Sequence, residues 1–143
     1  MSGATIAVFD TNVVVSGFLN PYGGPGRIVE WLRSGVIRAG LEDRIAAEYE
    51  EDLRRPELHL PRHEVMVVLR QIVSLGAWAT VEPQHVAQGL PDPDDAPFVE
   101  CARALACDLV TGNKRHFPRG ATRGVAVLSP TQFCEAVTQG PER

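Results

Sequence analysis

Long apolar runs are missing from this chain. No stretch approaches the roughly 20 residues needed to cross a bilayer, so a membrane-spanning helix is not expected. Cysteine is scarce: Cys101, Cys107 and Cys134 are odd in number and form no C-x-x-C pair. A disulfide framework is therefore not expected, and buried thiols in a reduced, cytoplasmic protein are. Met1-Ser2-Gly3-Ala4 carries no basic segment ahead of its short apolar run, so no signal peptide is expected. Positive charge is also short, with 14 Lys and Arg against 18 Asp and Glu, a net charge of −4. A general electrostatic grip on nucleic acid is thereby excluded. A polyanionic substrate would need a local basic patch or bridging cations.

Several catalytic signatures are lacking too. His63-Glu64 is followed by Val67 where a zinc-protease motif requires a second histidine. The four histidines and three cysteines show no zinc spacing. Gly23-Gly24-Pro25-Gly26 is not followed by the Gly-Lys-Ser/Thr of a phosphate loop, and no Gly-x-Ser-x-Gly elbow occurs. Asp10-Thr11-Asn12 lacks the second acid of the Asp-x-Asp pair in haloacid-dehalogenase-like phosphatases.

What is present suits one globular domain over residues 1–143, with an ordered core at about 4–138 and a frayed tail from Gln139 to Arg143. Thr5–Phe9 reads as a buried strand. Val13–Val15 is ambiguous, and 16–19 suggests a short helix or turn. Residues 20–26 read as a loop, and Ile28, Val29 and Leu32 mark a helix closed by Ser34-Gly35. A strand at 36–39 precedes a helix from Asp43 to Leu53, which Arg55-Pro56 breaks. Val65, Val68, Leu69, Ile72 and Leu75 define another helix. A strand follows at 77–81, then a turn-rich connector, a helix opening at Asp92–Asp95, a strand at 108–111, a polar loop at 112–124 and a strand at 125–128. Ser129-Pro130-Thr131-Gln132 has the cap, first-turn proline and Gln of a helix start. Strands alternating with helices predict an α/β fold with a mostly parallel sheet and helices on both faces.

Sites in such sheets form beyond the carboxyl ends of strands, and two candidates lie there. Asp10 follows the first strand and is either a helix N-cap or a site acid. Asn113 follows Thr111-Gly112 and is either a polar turn residue or a group facing a metal, directly or through water. Asp95 is the strongest single residue. Phe98, Val99, Ala102 and Ala106 fall on its own side of the helix, and Asp92 and Asp94 already serve the cap and the helix dipole. A carboxylate on an apolar stripe is costly unless a cation compensates it. Glu48 lies at the edge of the 43–53 stripe, where a solvated acidic face is the alternative. Lys114, Arg115 and His116 form a basic cluster that either contacts phosphates or stays solvated. Hard oxygen donors without soft ones point to Mg²⁺ or Mn²⁺. Such ions bind phosphates, activate water and neutralise a leaving oxygen, so metal-assisted phosphodiester hydrolysis is the expected reaction class.

Four motifs occur in order: Phe9-Asp10-Thr11-Asn12-Val13, Ile45-x-x-Glu48-Tyr49, Asp92-Pro93-Asp94-Asp95-x-x-Phe98 and Leu109-Val110-Thr111-Gly112-Asn113. In this the chain resembles PIN-domain proteins, above all the bacterial toxins of toxin–antitoxin pairs. The resemblance runs from about Ala4 to Val137. It implies an α/β/α sandwich around a central, mostly parallel sheet of about five strands, and a Mg²⁺- or Mn²⁺-dependent ribonuclease acting on RNA. It implies that Asp10, Glu48 and Asp95 hold the metal, with Asn113 where most members have a fourth acid. It also implies a homodimer and an inhibitory antitoxin protein. The rival expectation is a catalytically weakened module that binds RNA or protein, with Asn113 marking the decayed site. A phosphatase on a similar sheet is disfavoured by the missing acid at position 12.

Overall fold

Ala7, Val8 and Phe9 are consecutive and all buried. A strand hidden on both faces belongs inside a layered α/β fold, and this one is the centre of the sheet. The computed structural model describes residues 4–140. Its strands are β1 (Thr5–Phe9), β2 (Ile37–Leu41), β3 (Ala77–Trp78), β4 (Asp108–Val110) and β5 (Val127–Leu128). They form one sheet in the order β3-β2-β1-β4-β5, with every neighbouring pair parallel. The expected parallel sheet of about five strands is thus present.

Six α-helices connect and flank the strands: α1 (Thr11–Leu19), α2 (Gly24–Ser34), α3 (Asp43–Leu53), α4 (Arg62–Ser74), α5 (Ala96–Leu105) and α6 (Pro130–Gln139). Phe9 and Val8 show how they layer, because neighbouring strand residues point to opposite faces. The Phe9 ring meets Phe133 of α6 edge-on, with centroids 5.3 Å apart. On the other face, Val8 and Leu105 of α5 crowd together over Gly40, where an added Cβ would lie 2.9 and 2.8 Å from them. Helices α6 and α5 therefore cover opposite faces, giving an α/β/α sandwich.

Several elements depart from the sequence expectation. The three valines at 13–15 lie inside a helix that starts at Thr11. All three are buried, and that burial outweighs their weak preference against helix. The expected loop at 20–26 is shorter, because Gly24–Gly26 already form the first turn of α2. Pro25 in that turn lacks an N–H that would have had no helical partner. Gly35 closes α2 in the left-handed region at φ 85°, as expected of a C-cap. The strands expected at 77–81 and 125–128 shrink to two residues each, since both run along sheet edges with a single partner. The second strand begins at Ile37 rather than Val36, and the fourth ends at Val110. The stripe of α5 was expected to reach Ala106, but the helix ends at Leu105 and Ala106 is an exposed, left-handed C-cap. Glu100, outside that stripe, is buried. At the carboxyl end, Gln139 closes α6, and the rest of the tail expected to fray (141–143) lies outside the described residues.

After β1 the chain builds β2 and β3 on one side, then crosses to place β4 and β5 on the other. The reversal leaves a crevice beyond the carboxyl ends of β1 and β4, where binding sites of open parallel sheets form. Asp10 is the first residue past β1, and its N–H donates to Val110 O of β4 at 2.9 Å.

Candidate active site

The crevice is organised by two threonines that the sequence reading passed over. Thr111, the first residue past β4, donates its hydroxyl to Asp10 Oδ2 at 2.7 Å in a buried bond. Thr11, the first residue of α1, donates its hydroxyl to Glu48 Oε2 at 2.7 Å. Each carboxylate is held by a residue directly following a central strand or its acid, and that position is the signal that would have found them. Helix α3 is fixed beside β1 by Tyr49, whose buried hydroxyl donates to Phe9 O. Glu48 precedes Tyr49, so the same contact sets the height of Glu48 over the strand end.

Asp10 stands at the N-cap position of α1, yet its side chain makes no capping hydrogen bond. It is buried and turned toward Thr111. Burial raises its carboxyl pKa above the usual 3.8, against the Thr111 hydroxyl, the amides of Thr11 and Asn12, and the charge of His116. Glu48 is half-buried. Burial is again the largest cause of its raised pKa; the Thr11 hydroxyl opposes it, and the charges of Asp52, Asp10 and Asp94 add to it.

Asp95 opens α5 and carries the clearest anomaly. Asp92 caps the preceding turn by accepting from the Asp94 N–H at 3.0 Å, as expected, so Asp95 is free of that duty. Its side chain is only 15% exposed, and its Oδ2 is buried without a hydrogen-bond partner. A buried acceptor left open in this way costs about 1–3 kcal/mol. His116 Nδ1 lies 3.5 Å from it, too far for a hydrogen bond. Burial is the main reason its pKa rises from 3.8 to about 6; Asp10, Asp92 and Glu48 contribute, and His116 opposes them.

Asp10, Glu48 and Asp95 therefore share one electrostatic field. The charge of Asp10 acts on both of the others, and that of Glu48 on Asp95. Among the described residues, no three His, Cys, Asp or Glu side chains are drawn close enough to grip an ion as they stand. Uncompensated carboxylates repel one another, and a cation between them would remove that repulsion. The donors are hard oxygens, which suits Mg²⁺ or Mn²⁺.

Asn113 enters through its backbone. Its N–H donates to Thr111 Oγ1 at 3.0 Å, and its carbonyl accepts from the His116 N–H at 3.1 Å. Its side-chain amide makes no hydrogen bond among the described residues. Lys114 is directed to α6, donating to Gln132 Oε1 at 2.7 Å, while Arg115 is exposed. A second charge group, two covered acids under an exposed arginine, was not foreseen from the sequence. Arg44 bridges Glu42 at 2.6 Å and Glu100 at 2.8 Å, and Glu100 also accepts from the Ala87 N–H. This group ties the start of α3 to α5 and to the connector before Asp92.

One comparison with known families gives a match. A family model described as the PIN domain matches residues 6–115, a span that takes in Asp10, Glu48, Asp95 and Asn113. No curated protein matches the chain, and no solved structure does. None of its helices is long and apolar enough to cross a membrane, among the described residues.

Proposed function

This chain belongs to the PIN-domain family, a family of nucleases, and from that premise we propose that it is a Mg²⁺- or Mn²⁺-dependent endoribonuclease, the toxin of a toxin–antitoxin pair. The observation that carries the proposal is the open, buried oxygen of Asp95 beside two further carboxylates whose pKa values are raised together. Such an arrangement is unfavourable alone and favourable around a divalent cation. Asp10, Glu48 and Asp95 would hold the ion. When bound, it supplies Lewis acidity and neutralises charge at a phosphodiester. Thr111 and Thr11 keep the Asp10 and Glu48 carboxylates aimed into the crevice, and exposed Arg115 offers a cation to the RNA backbone. An antitoxin protein covering the crevice and a homodimer complete the proposed biology, in the cytoplasm.

The test is incubation of the purified chain with a mixed pool of RNA, with Mg²⁺, Mn²⁺ or a chelator. Cleavage that requires the metal and disappears in Asp95→Asn supports the proposal. A second reading, an RNA- or protein-binding module without catalysis, is favoured by Asn113 at the fourth acidic position. Retained RNA binding without cleavage at any metal concentration would establish it instead.

A further inference from the structure

We propose that His116 donates an imidazole nitrogen to the divalent ion held by Asp95, so that this centre is mixed carboxylate–imidazole and prefers Mn²⁺ to Mg²⁺. The inference rests on the metal-site reading above. It begins from one close contact. Asp95 Oδ2 is buried and lacks a hydrogen bond, and His116 Nδ1 faces it at 3.5 Å. Two ligands on adjacent corners of an octahedral ion, each about 2.1 Å from it, lie roughly 3 Å apart. The observed separation of 3.5 Å exceeds that spacing by about half an ångström, so a small closure would let one ion bridge the pair.

A positive charge on His116 also lowers the carboxyl pKa of both Asp10 and Asp95. Its place is set by a relay of bonds. Asp10 accepts from Thr111, Thr111 Oγ1 accepts from the Asn113 N–H, and the Asn113 carbonyl accepts from the His116 N–H. Phe117 follows and is buried, which anchors the far side of the turn. The ring is half-exposed, leaving its other nitrogen to solvent.

The chemistry follows from the donor types. Asn113 carries no charge where a fourth acid would stand, so the site has one negative charge fewer. A neutral nitrogen fills a coordination position without restoring that charge. Mg²⁺ takes oxygen ligands and holds its waters tightly, whereas transition ions such as Mn²⁺ accept imidazole readily.

The test is pulsed electron paramagnetic resonance of Mn²⁺ added to the full chain, read for coupling to ¹⁴N. Calorimetric titration with Mn²⁺ and Mg²⁺ accompanies it. The wild type is expected to show nitrogen coupling that His116→Ala abolishes. That variant should bind Mn²⁺ about ten-fold more weakly and Mg²⁺ nearly unchanged. His116→Asp should reverse the preference toward Mg²⁺. Mn²⁺ binding at full affinity without nitrogen coupling overturns this inference alone. No Mn²⁺ binding by the wild type overturns the metal-site reading as well. If His116→Ala does not fold, the wild-type spectrum still decides.

Discussion

Replacing Asp95 with Asn should make the metal-free protein more stable at neutral pH. The folded carboxyl holds its proton more tightly than the unfolded one, with its pKa raised from 3.8 to about 6. Its contribution to stability is then complete below about pH 3.8 and is lost as pH rises through about 6. At about 1.4 kcal/mol per pH unit, the loss is at most about 3 kcal/mol. The side chain keeps 15% of its exposure, and solvent reaching it screens the repulsion. A realistic gain for Asp95→Asn is about 1–2 kcal/mol at pH 7, roughly 3–8 °C in melting temperature for a chain of this size. Asn has the same shape and no charge, and Asp95 makes no capping bond that would be lost. The assay is denaturant unfolding of both proteins from pH 4 to pH 8 in chelator. The two curves should nearly coincide at pH 4 and separate progressively up to pH 7. A variant that is less stable at pH 7, or a difference that does not change with pH, would refute the claim that Asp95 is held as an uncompensated charge.

Four further outcomes are expected. Millimolar Mg²⁺ or Mn²⁺ should raise the melting temperature of the wild type, because an ion that binds only the folded state at 100 times its Kd adds about 2.7 kcal/mol, and it should leave Asp95→Asn unmoved; scanning fluorimetry checks both. Thr111→Val should destabilise by about 1–3 kcal/mol at pH 7 and by less at pH 4, since the buried Asp10 carboxylate loses its hydroxyl donor; urea unfolding at the two pH values measures it. Arg44→Ala should cost about 2 kcal/mol, less than for a wholly buried pair because Arg44 is 53% exposed while Glu42 and Glu100 are nearly covered; calorimetric melting would show it. Ala106→Gly should stabilise by about 1 kcal/mol, because Ala106 sits at φ 53° where a Cβ is strained; an unchanged urea midpoint would contradict that.

The parallel sheet was legible because its central strand is an unbroken apolar run bounded by Asp10, and because helix periods separate the strands. Helix α3 and the start of α6 were legible to the residue, one from the recurrence of Ile45, Tyr49 and Leu53, the other from its Ser129 to Gln132 capping box. Edge strands were not, since their ends depend on a partner and not on their own residues. The valines left the start of α1 ambiguous because burial, invisible in a single segment, overrides local preference. In the site, Asp95 stood out because its carboxylate interrupts an apolar stripe. Thr11 and Thr111 were marked by position alone, right after a central strand or its acid, while their partners, like that of Glu100, lie 37, 101 or 13 residues away. A hydroxyl carries no sign of which carboxylate it will meet.

The central claim is that acids just past β1, within α3 and at the N-cap of α5 surround one divalent ion. An anomalous difference map from a crystal grown with Mn²⁺ addresses it directly. A single strong peak in contact with the carboxylates of Asp10, Glu48 and Asp95 is the expected result. A map without a peak there, or with Mn²⁺ bound only elsewhere, contradicts it.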